Sequence, residues 1–370
     1  MRKIKAVSLH NTKRLVIKVG SALIAPQQDG CKARYLLDIA QFIVHARSRG
    51  IDVLLVSSGS VAAGAHHFKN PDRNNIAIKK AMAAAGQMDM MSTWDRFFDF
   101  PSAQLLMTHA DLRDKERYNS IRLTLFSLLE EGILPIINEN DAVTTDDLKV
   151  GDNDNLSAMV AAAADADTLV ICSDVDGLFD KNPNTHSDAQ LIKEVSSITP
   201  EIYAMTSGPT SSVGTGGMKT KLEAAEKATS HGIMTYIING FDEKTFAALL
   251  EGDNPGTLFT PFDKPMEESQ HWMTHTAAEY GELVVESEGI DTAEELNCEE
   301  ILSIEGEFSA GETVLIKNTK GQRLAKASSN YSSCLLNFVT QKTDGVNMSQ
   351  MQRNIGPIIS NNDIAVLEKK

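Results

Sequence analysis

The sequence predicts an open, mostly parallel α/β sheet sandwiched by helices, followed by a small β-rich domain. Three observations carry this prediction. Over roughly the first 260 residues an amphipathic helix-like run repeatedly ends in Gly and gives way to a short apolar run. Polar residues and Gly collect directly behind those apolar runs, and after about Thr260 the pattern changes to short alternating segments.

The first apolar run is LVIKVG (Leu15 to Gly20). Arg49-Gly50-Ile51 then leads into DVLLVSSG, Glu131-Gly132-Ile133 into LPIINEND, and His231-Gly232-Ile233 into MTYIING. In each of these junctions the Gly suits a left-handed helix cap, and the run behind it is too short for a helix and too apolar for an exposed strand. With AQLLMT (Ala103 to Thr108) and TLVICSD (Thr168 to Asp174) they give at least six buried parallel strands alternating with helices. Open α/β sheets bind ligands at the carboxyl ends of their strands. The clusters Gly20-Ser21, Ser57-Ser58-Gly59, Asn138 to Asp141 and Ser173-Asp174 are therefore expected to line one site. The expected domains are 1–260 and 277–370, with 261–276, including PFDKPMEESQ, as the linker. The second is read as strands from GELVVES, ETVLIKN, RLAKASS and IAVLEKK.

Composition narrows the class. With 370 residues, 42% of them hydrophobic, the chain can bury a sizeable core. It has no apolar run of the roughly 18 residues that a membrane span needs, and its N-terminus lacks the pattern of a signal peptide, so a cytoplasmic protein is expected. Cys31, Cys172, Cys298 and Cys334 are scattered without paired spacing, and buried thiols in a reducing compartment are the default reading. The net charge of −15 argues against a protein whose main partner is nucleic acid or an anionic membrane.

Standard nucleotide motifs fail. Gly59 to Gly64 has P-loop glycine spacing but is followed by Ala65-His66, and GTGG at Gly214 to Gly217 lacks the third glycine of a dinucleotide fingerprint. Lys18 stands inside an apolar strand just before a Gly-Ser turn. A buried unpaired ammonium is costly, so it is either a snorkelling edge residue or a group aimed at an anion. GTGGMKTK (Gly214 to Lys221) opens a helix-like run and brings Lys219 and Lys221. It reads either as a phosphate cradle or as a flexible loop with solvated lysines. Asn138 to Ala158 is dense in carboxylates and asparagines. It is a solvated acidic hairpin ending in helix-capping residues, or a pocket for a cationic ammonium.

In this order and spacing, LVIKVGSALI, VSSGSVAAG, IINENDAV, KVGDNDNLSA, SDVDGLF and GTGGMKTK resemble the amino-acid kinase family, most closely its glutamate-phosphorylating branch, over residues 13 to 260. The resemblance implies that the γ-phosphate of ATP passes to the side-chain carboxylate of L-glutamate, as the first step of proline biosynthesis. It implies catalytic roles for Lys18 and Lys221, which neutralise the transferring phosphoryl, with Mg²⁺ held mainly through the ATP phosphates. Asp174 is expected to position one or both lysines. Ser58, Asp141 and Asn153, helped by Asn138 and Asp152, are expected to hold the substrate. Lys18, Ser173, Asp174, Thr215, Gly216, Gly217, Met218, Lys219, Thr220 and Lys221 are expected to contact ATP. Feedback inhibition by proline, a homo-oligomer and a glutamyl-phosphate reductase partner follow from the same resemblance.

About Ala277 to Leu367 resembles a PUA domain through GELVVES, EGEFSAGETVLI and GQRLAKASSNYSS. PUA domains bind RNA in other proteins, but Glu279 to Glu312 carries twelve carboxylates and no Lys or Arg, so a structural or regulatory role is favoured here. The competing readings are a kinase of another small carboxylate acceptor, a PUA-containing RNA-binding accessory protein, and a catalytically silent amino-acid sensor.

Overall fold

The computed structural model describes residues 9–72, 74–144, 152–183, 185–206, 217–287, 289–290, 295–340, 356–360 and 363–367. They divide into two compact units, Met1–Leu112 with Glu116–Pro265, and Met266–Lys370 with Arg113–Lys115.

In the first unit β1 (Arg14–Val19) is followed by α1 (Ser21–Ile24), α2 (Ala33–Ser48), β2 (Asp52–Ser57), α3 (Ser60–Gly64) and α4 (Ile76–Asp95). Next come β3 (Ser102–Met107), α5 (His109–Arg113), α6 (Lys115–Glu130), β4 (Leu134–Glu139), α7 (Asn153–Ala163), β5 (Thr168–Ser173) and β6 (Glu194–Val195). The chain continues through α8 (Pro200–Ala204), α9 (Met218–Ser230), β7 (Met234–Asn239), α10 (Glu243–Glu251) and β8 (Thr257–Phe259). The strands form an eight-stranded sheet in the order β3-β4-β2-β1-β5-β7-β8-β6. Every pairing in it is parallel except β7 with β8. The expected strands are all present, although β3, at the sheet edge, is only partly buried instead of buried because it has a neighbour on one side alone; Gly50, Gly132 and Gly232 have φ of 79°, 68° and 89°, the left-handed caps that the repeated junctions call for.

The period of two along β1 decides which layer each side chain enters. Leu15, Ile17 and Val19 join the core built with Leu36, Ile39, Phe42 and Ile43 of α2 and Met90 and Trp94 of α4. Lys18, between Ile17 and Val19, must therefore point to the opposite layer, which α7 and α9 occupy. Helix α7 packs against β1, β2, β4 and β5 as well as α9, and every one of its residues is buried. Its alanine-rich sequence lets it lie close on the sheet.

On the other face α3 crosses α4 with backbones in contact. A Cβ on Gly86 would lie 1.9 Å from the Ser60 carbonyl oxygen, and one on Gly64 would lie 2.0 Å from that of Met82.

In the second unit α11 (Glu268–His275) packs against the sheet that follows it, burying His271, Trp272 and Met273. The stretch expected to be a linker thus contains an ordered helix, because Trp272 and Met273 supply an apolar stripe that an extended connection could not bury. The strands are β9 (Gly281–Val285), β10 (Ile301–Gly306), β11 (Thr313–Asn318), β12 (Arg323–Ser328) and β13 (Ile364–Val366), in the order β10-β9-β11-β12-β13, with α12 (Ser333–Thr340) between β12 and β13. The cysteines are unpaired, and Cys172 and Cys298 are buried, but Cys334 is exposed on α12 instead of buried.

The close crossing of α3 and α4 predicts that Gly86→Ala destabilises the protein by about 3 kcal/mol or more, since the added methyl meets rigid backbone on both sides. Urea unfolding measures this, and an unchanged midpoint contradicts the contact.

Candidate active site

Lys18 emerges from β1 near its carboxyl end, beside Val56 of β2 and Ile171 of β5. Its ammonium lies 2.5 Å from Oδ1 of Asp154, the second residue of α7. Lys221, in the first turns of α9, reaches Oδ2 of the same carboxylate at 3.1 Å, and the Thr220 hydroxyl donates to that oxygen at 2.8 Å. All three charged groups are buried: Lys18 is 5% exposed, Lys221 6% and Asp154 2%. Among the described residues, two ammonium groups and one carboxylate give the cluster a net positive charge in a region of low dielectric, where an arriving anion is attracted strongly.

The electrostatics of the cluster follow from its burial. Burial pulls the Lys18 ammonium below its ordinary value; Asp154 opposes this, and the charge of Lys221 adds to the fall. Burial alone would raise the Asp154 carboxyl, but Lys18 and Lys221, with hydrogen bonds from Lys18 and Thr220, hold it far below the carboxylate range. Its place in the first turn of a helix works in the same direction. Cys172, on β5 next to β1, is pushed up to about 12 by burial, against the pull of Lys18, so its thiol adds no charge.

Several contacts fix the two helices that carry these groups. Asp152 caps α7 by accepting from the Asn155 backbone N–H at 3.4 Å and its amide at 2.8 Å, while Lys227 of α9 donates to Asn155 Oδ1 at 2.6 Å. Asn153 Oδ1 accepts from the backbone N–H of Glu139, tying α7 to the end of β4 at 3.3 Å.

A second group of polar side chains lies at the ends of β2 and β4. Ser60 donates to Asp141 Oδ2 at 2.7 Å, and Asn138 donates its amide to Gln87 Oε1 at 2.9 Å. Among the described residues Ser58 Oγ, Gln87 Nε2, Asn138 Oδ1 and Asp141 Oδ1 are buried without a hydrogen-bond partner. Gln87, Asp141 and Ser60 line a small pocket with Ala83 and Leu106. Burial raises the Asp141 carboxyl, and the Ser60 hydrogen bond only partly offsets this. Unsatisfied buried donors and acceptors of both kinds suit a small zwitterionic ligand.

The structure thus brings Lys18, Lys221 and Thr220 together in one cluster, and Ser58, Asp141 and Asn138 at neighbouring strand ends. Asp174 is different. It is exposed at the end of β5, where it accepts from the Ser173 hydroxyl at 3.1 Å, and the carboxylate between the lysines is Asp154. The reason is geometric: Lys18 points to the α7 layer, so a carboxylate on α7 reaches it. Asn153 and Asp152 serve as the tie and the cap of α7. Gly217 caps α9, Met218 is half-buried, and Lys219 is exposed, 4.0 Å from Glu223. Thr215 and Gly216 lie outside the described residues. Sequence reasoning missed Asp154, Gln87 and Ser60. Asp154 could have been found as a carboxylate opening a helix that is otherwise too apolar to face water.

A model of the amino acid kinase family matches residues 13–239. The chain is 65% identical over 363 residues to glutamate 5-kinase 1 of Pseudoalteromonas translucida (strain TAC 125), an alignment covering 97% of this chain and 99% of that one. It is 49% identical over 363 residues to glutamate 5-kinase of Idiomarina loihiensis (strain ATCC BAA-735 / DSM 15497 / L2-TR), covering 96% and 98%. A solved structure of UMP kinase from Bacillus anthracis overlaps 67% of this chain and 96% of its own at a TM-score of 0.48 and 16% identity.

Asp154→Asn removes the buried carboxylate that Lys18 and Lys221 share. It is expected to cost about 3–5 kcal/mol of stability in urea unfolding. Because the folded carboxyl lies below its ordinary value, the stability it contributes is present above about pH 4 and fades as the pH falls through the folded value. The acid limb of the stability curve should therefore flatten in Asp154→Asn, and a curve unchanged from the parent contradicts the coupling.

Proposed function

The chain belongs to the amino acid kinase family, and from that premise we propose that it transfers the γ-phosphoryl of ATP to the side-chain carboxylate of L-glutamate, giving L-glutamyl 5-phosphate for proline biosynthesis. The observation that carries this reading is the buried Lys18–Asp154–Lys221 cluster, whose net positive charge adjoins strand ends rich in unsatisfied polar atoms.

The acceptor carboxylate, with a pKa of about 4.3, is already ionised at neutral pH, so the reaction needs no general base. The task is to bring two anions together and to neutralise charge on the phosphoryl in flight. Lys18 and Lys221 stand on either side of Asp154, whose carboxylate holds both side chains in place. Asp141 receives the α-ammonium of the acceptor, whose positive charge favours the ionised carboxylate that burial disfavours. Ser58 Oγ and Gln87 Nε2, which have no partner among the described residues, donate to the carboxylate ends with Asn153 behind them, while Asn138 Oδ1 accepts from the ammonium. Ser173, Asp174 and residues 215–221 contact ATP. Asp154 is already shared by two lysines, so these residues fit a Mg²⁺ that arrives on the nucleotide phosphates, where it supplies further charge neutralisation.

Inhibition by proline, a homo-oligomer, a cytoplasmic location and passage of the acyl phosphate to a reductase complete the proposal. Among the described residues no helix is long and apolar enough to cross a membrane. The acidic second unit is assigned a structural or regulatory role.

The direct test is ADP release with ATP, Mg²⁺ and each candidate acceptor, with hydroxylamine present to trap an acyl phosphate as hydroxamate. Hydroxamate is expected with glutamate and not with acetylglutamate or aspartate, and Lys18→Ala should lower kcat roughly 10²- to 10³-fold. Absence of hydroxamate with glutamate rejects the acceptor assignment, and an unchanged kcat in Lys18→Ala rejects the lysine's role. Because the Asp141 carboxyl is raised, KM for glutamate should climb as the pH is lowered toward the acid side. Asp141→Asn should raise KM at neutral pH and abolish that climb, and a parallel profile in the variant removes Asp141 from the site.

A further inference from the structure

The α3–α4 crossing also gathers three side chains that phosphoryl transfer does not use. His66 and His67 lie in the short 3-10 turn Ala65–His67 that continues α3, and Asp89 lies on α4 three residues beyond Gly86. Asp89 Oδ2 is 2.9 Å from His67 Nε2 and 3.8 Å from His66 Nε2. The two rings lie 3.9 Å apart between centroids, and one ligand atom from each of the three residues falls within 4.8 Å of the others. The side chains are 37%, 46% and 38% exposed, which leaves water access to the remaining coordination positions.

The hydrogen-bonding pattern suits a cation. His66 Nδ1 sits 2.8 Å from the carbonyl oxygen of Ala63, which can only accept, so Nδ1 carries the hydrogen and Nε2 presents its lone pair towards Asp89. Metal-bound histidines are commonly oriented in this way, through the other ring nitrogen. Two lone-pair atoms, His66 Nε2 and Asp89 Oδ2, thus face each other at 3.8 Å. Ligands of one tetrahedral zinc-class ion stand about 3.3 Å apart for bonds near 2.0–2.1 Å, so only a small adjustment is required. His67 Nε2 now donates to Asp89. On coordination that hydrogen moves to Nδ1 or to solvent, and the cation takes its place between the two atoms.

We propose that His66, His67 and Asp89 form a binding site for a zinc-class divalent cation that clips the end of α3 to α4. Two imidazoles and a carboxylate favour such an ion over Mg²⁺, which prefers all-oxygen octahedral surroundings, so the ion serving ATP does not compete. Ser60 on α3 holds Asp141, and Gln87 on α4 accepts from Asn138, so the clip braces the helix pair framing the polar pocket.

The test is Zn²⁺ titration of the full chain, stripped of metal, against a chromophoric chelator in millimolar Mg²⁺, together with thermal unfolding. The expected result is one Zn²⁺ per chain, weakened at least tenfold in His66→Ala and in Asp89→Asn and unchanged in Cys334→Ser, whose exposed thiol is the alternative ligand. Both site variants should keep Mg²⁺-ATP turnover without zinc, which shows that they fold. Tm should rise with Zn²⁺ in the parent and not in these variants. No saturable binding, binding that survives in both site variants, or binding lost in Cys334→Ser overturns the site, and binding without a Tm rise overturns the clip.

Discussion

Two buried ammonium groups sharing one buried carboxylate form the constraint on which the rest of the site depends. Burial disfavours the Lys18 ammonium and would raise the Asp154 carboxyl were the lysines not beside it. Together they are mutually stabilising, and among the described residues the three carry one positive charge in excess. The fold therefore has to hold three elements, β1, α7 and α9, in a fixed relation, and the contacts around Asp152, Asn153, Asn155 and Lys227 are what hold it.

The same sheet presents polar side chains on two sides because β1 sits in its middle. On one side β2 and β4 carry Ser58, Asn138 and Asp141 at their carboxyl ends. On the other, β5 carries Ser173 and Asp174. The strand order changes direction at β1, where a doubly wound sheet opens a crevice. Helices α3 and α4 close the β2–β4 side. Their contact through Gly64 and Gly86 leaves no room for side chains, and this brings Ser60 and Gln87 within reach of the β4 end.

Charge works at two scales here. The whole chain is at −15, which suits neither nucleic acid nor an acidic membrane, while the buried cluster gathers two cations around one carboxylate. An acidic chain and a buried cationic cluster are compatible because buried charges are screened far less than surface charges, so the local field dominates at the cluster.

The sequence by itself determined the strands, the glycine-capped junctions and the polar residues at the strand ends, because these depend on local periodicity and on backbone conformations that few residues adopt. It also marked Lys18, since a lysine inside an apolar strand is chemically conspicuous. It could not choose the partner of that lysine. Asp174 is nearer to a strand end in sequence terms, but the alternation along β1 sends Lys18 to the α7 side, and only the packing of α7 on the sheet brings Asp154 within 2.5 Å. Gln87 and Ser60 were hidden for the same reason: a glutamine in an alanine-rich helix reads as surface until the helix crossing turns it inward. Nor did the stretch read as a linker reveal α11, which buries Trp272 and packs against strands far along the chain. Local chemistry wrote the elements, and contacts between residues distant in sequence decided which charges meet.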